Sequence, residues 1–309
     1  NNILVYIPVF ILTTTCALFF SIFKSRDIIF IKPYPIKKSL RITIESAKIG
    51  IKLTISSISS LLILGVGRFI VDRVWGIESF SKFSLALSLT NFFLLFISQV
   101  SIVLFPALRR VDMETSKKIY NKFNLYLDAL LPIIYVLYIP IKIILEKWIP
   151  QYSQSLLYLA ILLPICIFDG KTQMLNNTYF KVLRKENTLL KINLFSMATS
   201  IILSLISVFI LKDINLVIIG ILIAICMRSI LGEIILSKEM KLPVNIKQLF
   251  YNIIFSALFI IYSLIFSNSI AFVLTIGSYI IYSIAIKSHL YILGYFNKVI
   301  KAKQDKKKE

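Results

Sequence analysis

The sequence predicts an all-α fold, a polytopic transmembrane helix bundle with about nine spans. Hydrophobic residues make up 58% of the 309 residues and the mean hydropathy is +0.84, whereas soluble domains are about 45–50% apolar. The apolar residues are concentrated in runs of about 20 residues, the length that a helix needs to cross a bilayer. These runs lack the alternation of a membrane β-barrel, and a helix satisfies its own backbone groups in lipid.

Each apolar run is long enough to form one spanning helix. In chain order the runs cover about 3–23, 50–71, 83–107, 124–145, 155–175, 189–211, 214–236, 249–267 and 270–291. No Gly/Ser-rich linker divides the chain, so we expect one integral membrane unit.

The charges between the runs predict the orientation. The chain has 35 Lys and Arg against 15 Asp and Glu, a net charge of +20. The bases gather in the connections after the first, third, fifth and seventh runs and in the C-terminal tail, and the other connections are short, balanced or uncharged. Because cytoplasmic connections collect Lys and Arg, we expect a cytoplasmic C-terminus. A nucleic-acid partner is not expected, since the bases form no stripe with interleaved aromatics.

The longest connection, about 24–49, holds two prolines in Lys32-Pro33-Tyr34-Pro35 and then a stretch of bases with Ile and Leu. This stretch is either an interfacial helix on the inner leaflet or a plain basic connector. The chain starts at Asn1 without the charged flank of a signal peptide. Nine spans with an external N-terminus predict that an odd number of helices precedes the chain.

Motifs for metal binding and catalysis are absent from the sequence. Cys16, Cys166 and Cys226 lie in separate apolar runs without CxxC spacing, which favours a packing role. A single histidine, His289, cannot form a metal cluster. Metalloprotease, P-loop and nucleophile-elbow motifs do not occur either. We therefore expect no cofactor, no metal and no enzyme activity.

Ionisable residues inside the runs are the candidate functional residues, because charges in lipid are costly and usually face a cavity or a partner. Arg68 and Asp72 are four residues apart and share a helix face. They either hold an anionic group or form an interfacial pair. Arg228 lies about 20 Å from the outer end of its helix at 1.5 Å per residue. It either binds substrate or forms a structural pair with Glu233 or Asp169.

Two stretches resemble a known family of transporters. They are GVGRFIVDRVWGIESFSKFSLA at residues 65–86 and QVSIVLFPALRR at residues 99–110. Both look like the first hairpin of the C-terminal half of polysaccharide flippases, which belong to the multidrug/oligosaccharidyl-lipid/polysaccharide exporter superfamily. Members typically have twelve to fourteen helices in two six-helix lobes.

The resemblance implies that the chain matches the last nine of fourteen helices, as the C-terminal lobe of a two-lobe transporter. The implied parts are the last helix of a truncated N-terminal lobe, a basic cytoplasmic inter-lobe loop, a six-helix C-terminal lobe, an appended helix pair and a basic cytoplasmic tail. In that order they cover residues 1–23, 24–49, 50–236, 249–291 and 292–309.

The implied function is translocation of an undecaprenyl-diphosphate-linked oligosaccharide from the inner to the outer leaflet of the bacterial inner membrane, for cell-surface polysaccharides such as O-antigen. The partners are then this lipid-linked oligosaccharide and the membrane lipids. Arg68 and Arg228 are the candidates that would attract the diphosphate. Coupling to Na⁺ or H⁺ would use a carboxylate, with Asp72, Asp128 and Asp169 as candidates.

Three other functions are compatible with the same sequence. A cation-coupled multidrug exporter would favour acidic residues deep in the cavity, whereas the deep charges here are expected to be mainly Arg. A peptidoglycan-precursor flippase carries the same diphosphate in its cargo. A membrane glycan polymerase or ligase would need a large outer loop, and the sequence contains none.

Overall fold

The computed structural model of the chain describes residues 3–29 and 35–286, and every regular element in these ranges is helical. The predicted all-α fold class is confirmed for this part of the chain. The predicted tail, 292–309, lies outside the described residues, as do the last residues of the ninth run. The chain divides into two compact units, Asn1–Ile51 and Lys52–Glu309.

The first unit contains helices α1, Ile3–Lys24, and α2, Arg26–Ile29, and the beginning of α3, Ile36–Leu108. The described side chains of α1, at residues 7–24, are all exposed, including Phe10 and Phe20. Where it is described after Pro35, the predicted inter-lobe loop is helical. That part of the segment is therefore not an irregular connector.

Helix α3 consists of two arms that meet at Gly76. This glycine has φ 77° and ψ −179°, a conformation that a side chain strongly disfavours. Ser56 and Ser98 line one cavity, although a straight helix would separate them by about 60 Å at 1.5 Å per residue. The chain therefore reverses direction at Gly76, and within the second unit the first arm, 52–75, lies antiparallel to the second arm, 77–108.

The second unit continues with nine further helices. They are α4 (Met113–Leu130), α5 (Ile133–Trp148), α6 (Ser153–Leu162), α7 (Pro164–Lys171), α8 (Asn177–Val182), α9 (Glu186–Ile206), α10 (Ile214–Glu239), α11 (Ile246–Ile265) and α12 (Asn268–Ala285). A 3₁₀ turn, Pro150–Tyr152, precedes α6, and π-helical turns occur at Thr172–Asn176 and Ser207–Leu211.

Helix α4 begins at Met113, well before the fourth apolar run, 124–145. The apolar pattern did not include its first turns because they are polar. Asp112 caps it by accepting a hydrogen bond from the backbone N–H of Thr115 at 3.0 Å. Hydrogen bonds from Thr115 also hold the pKa of Asp112 below its ordinary value. Pro132, which has no N–H, lies at the junction of α4 and α5.

In the described ranges, seven helices are long and apolar enough to cross a membrane, and eight if α6 and α7–α8, bent by 43°, form one broken span. Large apolar side chains such as Leu61, Val103 and Phe209 lie exposed on the helix surfaces. Polar side chains, in contrast, are buried in the bundle interior. This distribution indicates a helical membrane protein, and the count of nine spans stays a prediction.

Side-chain contacts show that the segments that connect the helices lie at two opposite ends of the second unit. At one end Lys185, just after α8, forms an ion pair of 2.8 Å with Glu239, the last residue of α10. At the other end Lys82, early in the second arm of α3, donates to Gln154 at 3.1 Å, near the start of α6. Gln154 and Lys185 lie at opposite ends of α6–α8. This grouping is what an alternating order of spans requires.

Small side chains allow α9, α10 and α3 to approach closely. Ser196, Ser200 and Ser204 are fully buried along one stripe of α9. Ser200 donates to the backbone carbonyl of Ile63 at 2.9 Å. A Cβ at Gly220 on α10 would lie 3.0 Å from the Cβ of Leu203 on α9. Leu203 cannot turn away from this contact, because its Cβ is fixed to the backbone.

We therefore expect Gly220→Ala to force α9 and α10 apart and to lower the free energy of unfolding by about 1–3 kcal/mol. The measurement is unfolding of the purified protein in detergent. The matched control is Gly277→Ala on α12, where an added Cβ would meet nothing within 4 Å. Alanine favours the helix more than glycine, so the control should be unchanged or slightly stabilised. Equal stability of the two variants would contradict the close approach.

Candidate functional site

Five ionisable side chains are buried together in the second unit, and each is less than a tenth exposed. Asp128 comes from α4, Asp169 and Lys171 from α7, and Arg228 and Glu233 from α10. Charges at such a depth are stable only when they are paired and hydrogen-bonded. They form two groups, which we call the lysine triad and the arginine pair.

The lysine triad consists of Asp128, Lys171 and Glu233. The Nζ atom of Lys171 lies 3.1 Å from Oδ1 of Asp128 and 3.1 Å from Oε2 of Glu233. One ammonium group therefore bridges two carboxylates and joins α4, α7 and α10. Asn124, one turn before Asp128, donates from Nδ2 to Oε1 of Glu233 at 3.1 Å.

Helices α11 and α12 complete the surroundings of Asp128. Asn252 on α11 donates to its Oδ1 at 2.9 Å, and Gln248 donates to its Oδ2. Tyr282 on α12 donates to the Asp128 backbone carbonyl at 3.1 Å and also contacts Asn252. Asp128 has no exposed surface, so these amides replace the water that its carboxylate would otherwise bind.

The arginine pair consists of Asp169 and Arg228. The guanidinium of Arg228 donates to Oδ1 of Asp169 and to Oγ of Ser60 on the first arm of α3. Gln173 donates to the other Asp169 oxygen, Oδ2, at 2.8 Å. The structural pairing proposed as one interpretation of Arg228 is therefore present, with Asp169 as its partner.

A π-helical turn, Thr172–Asn176, follows Lys171 directly. Turns of this kind are frequent at functional sites. Asn176 in this turn donates to the backbone carbonyl of Ser229 at 3.2 Å and so links the turn to α10. A Cβ at Gly232 would lie 2.6 Å from Nδ2 of Asn176. Because Gly232 has no side chain, it leaves room for the Asn176 amide, which links the π turn to α10.

A cleft of about 620 Å³, cavity A, lies between the two arms of α3, the π turn with α8, and α9. It lies beside the arginine pair, because Ser60 and Gln173 both line it. Its polar lining residues are Ser56, Ser57, Ser60, Ser98, Ser101, Gln173, Asn177, Thr178, Lys181 and Asn193. Hydroxyl and amide groups with one cation suit a polar, anionic ligand.

A second cleft of about 450 Å³, cavity B, lies between α4, α10 and the start of α11. It reaches the lysine triad, because Glu233 and Asn124 line it. The other lining residues are Tyr120, Asn121, Leu125, Ser237, Pro243, Val244, Asn245 and Gln248. Cavity B therefore gives one buried carboxylate of the triad access from the bundle surface.

Arg68 and Asp72 lie apart from the buried cluster. Both are partly buried, and the ion pairs found in residues 3–29 and 35–286 do not join them. Arg68 follows Ser57 by three helical turns on the same face, about 16 Å further along the arm. Its Nε atom is buried without a hydrogen-bond partner. Arg68 is not among the residues that line cavity A.

Lys171 is the main residue that the sequence reasoning did not select. The polar residues at its position were interpreted as the end of a span, whereas the helical path continues to Val182. The sequence pattern that could have identified Lys171 is the alternation of the polar residues Asp169, Lys171 and Gln173 within a buried run. The expectation that the deep charges are mainly Arg was wrong for the described residues, since three carboxylates face two cations.

The sequence matches no protein-family model and no curated protein. The resemblance to polysaccharide flippases rests on the two stretches at 65–86 and 99–110.

We expect Lys171→Met to lower the free energy of unfolding by about 3–5 kcal/mol, because it leaves two buried carboxylates without their cation. The double variant Lys171→Met/Glu233→Gln removes one of these charges and should recover part of the loss. Unfolding in detergent provides the measurement.

The matched control for this prediction is Lys117→Met. Lys117 pairs with Glu114 at 2.9 Å, but Glu114 is largely exposed. Exposed pairs contribute about 0–1 kcal/mol, so the control should change little. Losses of similar size in the two single variants would show that the triad is not the stabilising element.

Proposed function

We propose that this chain forms part of a membrane transporter, a flippase that moves a lipid-linked oligosaccharide from the inner to the outer leaflet. The observation that carries the proposal is cavity A, a polar cleft in a bundle whose outer surface is apolar. Its volume, about 620 Å³, lies in the range of about 300–1,000 Å³ typical of ligand sites.

The lining of cavity A matches the chemistry of such a cargo. Serine hydroxyls and side-chain amides can exchange hydrogen bonds with sugar hydroxyls. Lys181 is exposed at the end of α8 and provides a positive charge for a phosphate. Leu61, Ile102 and Phe105 add apolar wall to the same cleft, which suits the adjoining lipid chain. A head group can thus leave water without losing its hydrogen bonds.

The roles of the two candidate arginines differ in this proposal. Arg228 already neutralises Asp169, so it shapes the wall of cavity A through Ser60. Arg68 lies further along the same helix face as Ser57, and the ion pairs of the described residues do not include it, whereas Arg228 pairs with Asp169. We propose that two residues attract the diphosphate. Lys181 does so at the α8 end of cavity A, and Arg68 does so further along the first arm of α3.

The proposed topology has nine spans. The bent helices α6 and α7–α8 then form one span, and the two arms of α3 form two. The connections nearest cavity A are the basic ones after α3 and α8, so the cleft opens on the side that we predict to be cytoplasmic. This is the side on which a lipid-linked precursor would be loaded. The proposed location is the bacterial inner membrane, with the C-terminus in the cytoplasm.

The second candidate is a cation-coupled exporter of the same superfamily. The buried carboxylates favour it, because Asp128, Asp169 and Glu233 outnumber the buried cations in the described residues. Cavity A, in contrast, has a cation and no carboxylate in its lining. The lining therefore favours an anionic cargo over a cationic drug.

Blocking cavity A should abolish export. Ser57 lines the cavity, and its hydroxyl donates only within its own helix, to the Leu53 carbonyl. We expect Ser57→Trp to reduce surface glycan at least tenfold in cells that lack their own flippase, with lipid-linked glycan accumulating in the inner leaflet.

Ser88→Trp is the matched control. Ser88 is an exposed serine on the other arm of α3, and its hydroxyl bonds to the Ser84 carbonyl in the same way. It should export normally at equal protein abundance. Normal export by Ser57→Trp would remove cavity A from the transport path, and equal failure of both variants would point to general disruption.

The two arginines should separate in their effects. Arg68→Ala is expected to impair glycan export while the unfolding midpoint stays within about 2 °C of the wild type, since no ion pair is lost. Arg228→Ala should impair export and also lower stability by about 3–5 kcal/mol, because Asp169 is left buried and unpaired. Full complementation by Arg68→Ala would exclude it from substrate binding.

A further inference from the structure

Several polar side chains that line cavity A have already donated their hydrogens within the protein. The hydroxyls of Ser57, Ser98 and Ser101 each donate to a backbone carbonyl. The side-chain amide of Gln173 donates to Asp169. A hydroxyl that has donated its proton keeps its lone pairs and can still accept, and the other polar atom of Gln173 is a carbonyl oxygen. These four side chains therefore offer hydrogen-bond acceptors to a ligand.

Asn193 on α9 adds an acceptor that has no partner. Its side chain is 3% exposed, and its Nδ2 donates to the backbone carbonyl of Ser56 at 3.1 Å and to the Ser56 hydroxyl at 2.7 Å. Its Oδ1 is buried without a hydrogen bond, and Asn193 lines cavity A. Turning the amide over would place Oδ1 against the Ser56 carbonyl oxygen, so its orientation is fixed. Buried acceptors without a partner are uncommon and require an explanation.

A second unsatisfied acceptor lies at a similar depth. Oδ1 of Asn177 on α8 is also buried without a partner, and Asn177 lines the same cleft. A short connection, 183–185, joins α8 to α9. Along their helices, Asn177 lies about 7.5 Å before this connection and Asn193 about 10 Å after it, at 1.5 Å per residue. Both oxygens thus lie between one and two helical turns in from the same end of the bundle.

Lys181 provides a positive charge on the same helix face as Asn177. The two residues are four positions apart on α8, and both line cavity A. A phosphate held by the Lys181 ammonium group therefore has the two asparagine oxygens about one helical turn further into the cleft. In a lipid-linked oligosaccharide, the group bonded directly to the phosphate is the first sugar. This sugar is the part of the cargo that can reach both oxygens.

We propose that Asn177 and Asn193 are specificity-determining residues that recognise the first sugar of the cargo through its hydroxyl groups. The proposal rests on the proposed function, because it assigns a ligand to cavity A. Each asparagine oxygen accepts a hydrogen bond from one sugar hydroxyl. A sugar without a donor at either position leaves a buried oxygen unpaired, which is costly. Sites built to bond a substrate hydroxyl reject analogues that lack it.

The test measures binding of sugar phosphates by the purified protein in detergent, by ligand-observed NMR titration. The probes are glucose 1-phosphate, galactose 1-phosphate, inorganic phosphate and the monofluorinated sugar phosphates, in which fluorine replaces one hydroxyl. Fluorine has nearly the size of a hydroxyl but cannot donate a hydrogen bond. We expect the preferred sugar phosphate to bind at least about tenfold more tightly than inorganic phosphate. Fluorine at one or two ring positions should weaken it at least about tenfold.

Asn177→Leu and Asn193→Leu should each weaken binding of the preferred sugar phosphate at least about tenfold. Inorganic phosphate should bind both variants as it binds the wild type, since Lys181 remains. Fluorine at the position that contacts the changed asparagine should cause no further loss, because both changes remove the same hydrogen bond. This lack of additivity is a result that a purely structural role would not produce.

Asn121→Leu is the matched control, because Asn121 is exposed on α4 and lines cavity B instead. It should bind every probe like the wild type. Asn193→Leu also removes the hydrogen bonds to Ser56. If that variant does not fold, Asn177→Leu decides the question, since its Oδ1 has no partner to lose.

Three outcomes would overturn the proposal. They are sugar phosphates that bind no more tightly than inorganic phosphate, equal affinity for every fluorinated analogue and its parent, and wild-type affinities in the asparagine variants. The measurement requires no transport. Selective binding together with normal export by Ser57→Trp would remove cavity A from the transport path but keep the sugar site. Loss of export in Ser57→Trp without selective binding would keep the path and remove the sugar site, so the two failures are distinguishable.

Discussion

The bridge that Lys171 makes between Asp128 and Glu233 is the interaction on which the interior of the bundle depends. It joins α4, α7 and α10 through two contacts of 3.1 Å. Asp128 extends the connection to α11 and α12 through Asn252 and Tyr282. Three helices thus meet at one ammonium group, and α11 and α12 pack against Asp128. Separation of α4, α7 or α10 would leave a buried charge without its partner. Apolar contacts between helices impose no comparable restriction in lipid, where side chains pack equally well against acyl chains.

Membrane position explains both what the sequence predicts well and what it does not. Length and apolar composition are enough to predict helices, because lipid permits few alternatives. Basic residues mark one set of connections, and contacts such as Lys185–Glu239 group the connections accordingly. The reversal at Gly76 follows from the same pattern, since no single span can hold 73 residues. The side of the membrane that each connection faces, in contrast, is predicted from the distribution of Lys and Arg and not from packing.

The buried site was only partly predictable, for a physical reason. The sequence shows that Asp128, Asp169 and Arg228 lie in apolar runs and need partners, but several pairings satisfy that need. Spacing cannot decide between Glu233 and Asp169 as the partner of Arg228, because a residue four or five positions away and a residue on another helix are equally possible. Lys171 was missed because a polar stretch usually marks the end of a span. Here the π turn after Lys171 continues the helix, so the polar stretch stays inside the bundle.

The π turn after α7 lines cavity A through Gln173, and α10 lines cavity B through Glu233. Gln173 and Ser60 connect cavity A to the arginine pair, and Glu233 connects cavity B to the lysine triad. Asp169 and Lys171 are two residues apart on one helix, so the two groups cannot rearrange independently. Helix α10 adds a second link of the same kind, because it carries Arg228 of the arginine pair and Glu233 of the lysine triad. The two charged groups are therefore held in a fixed relation by both α7 and α10.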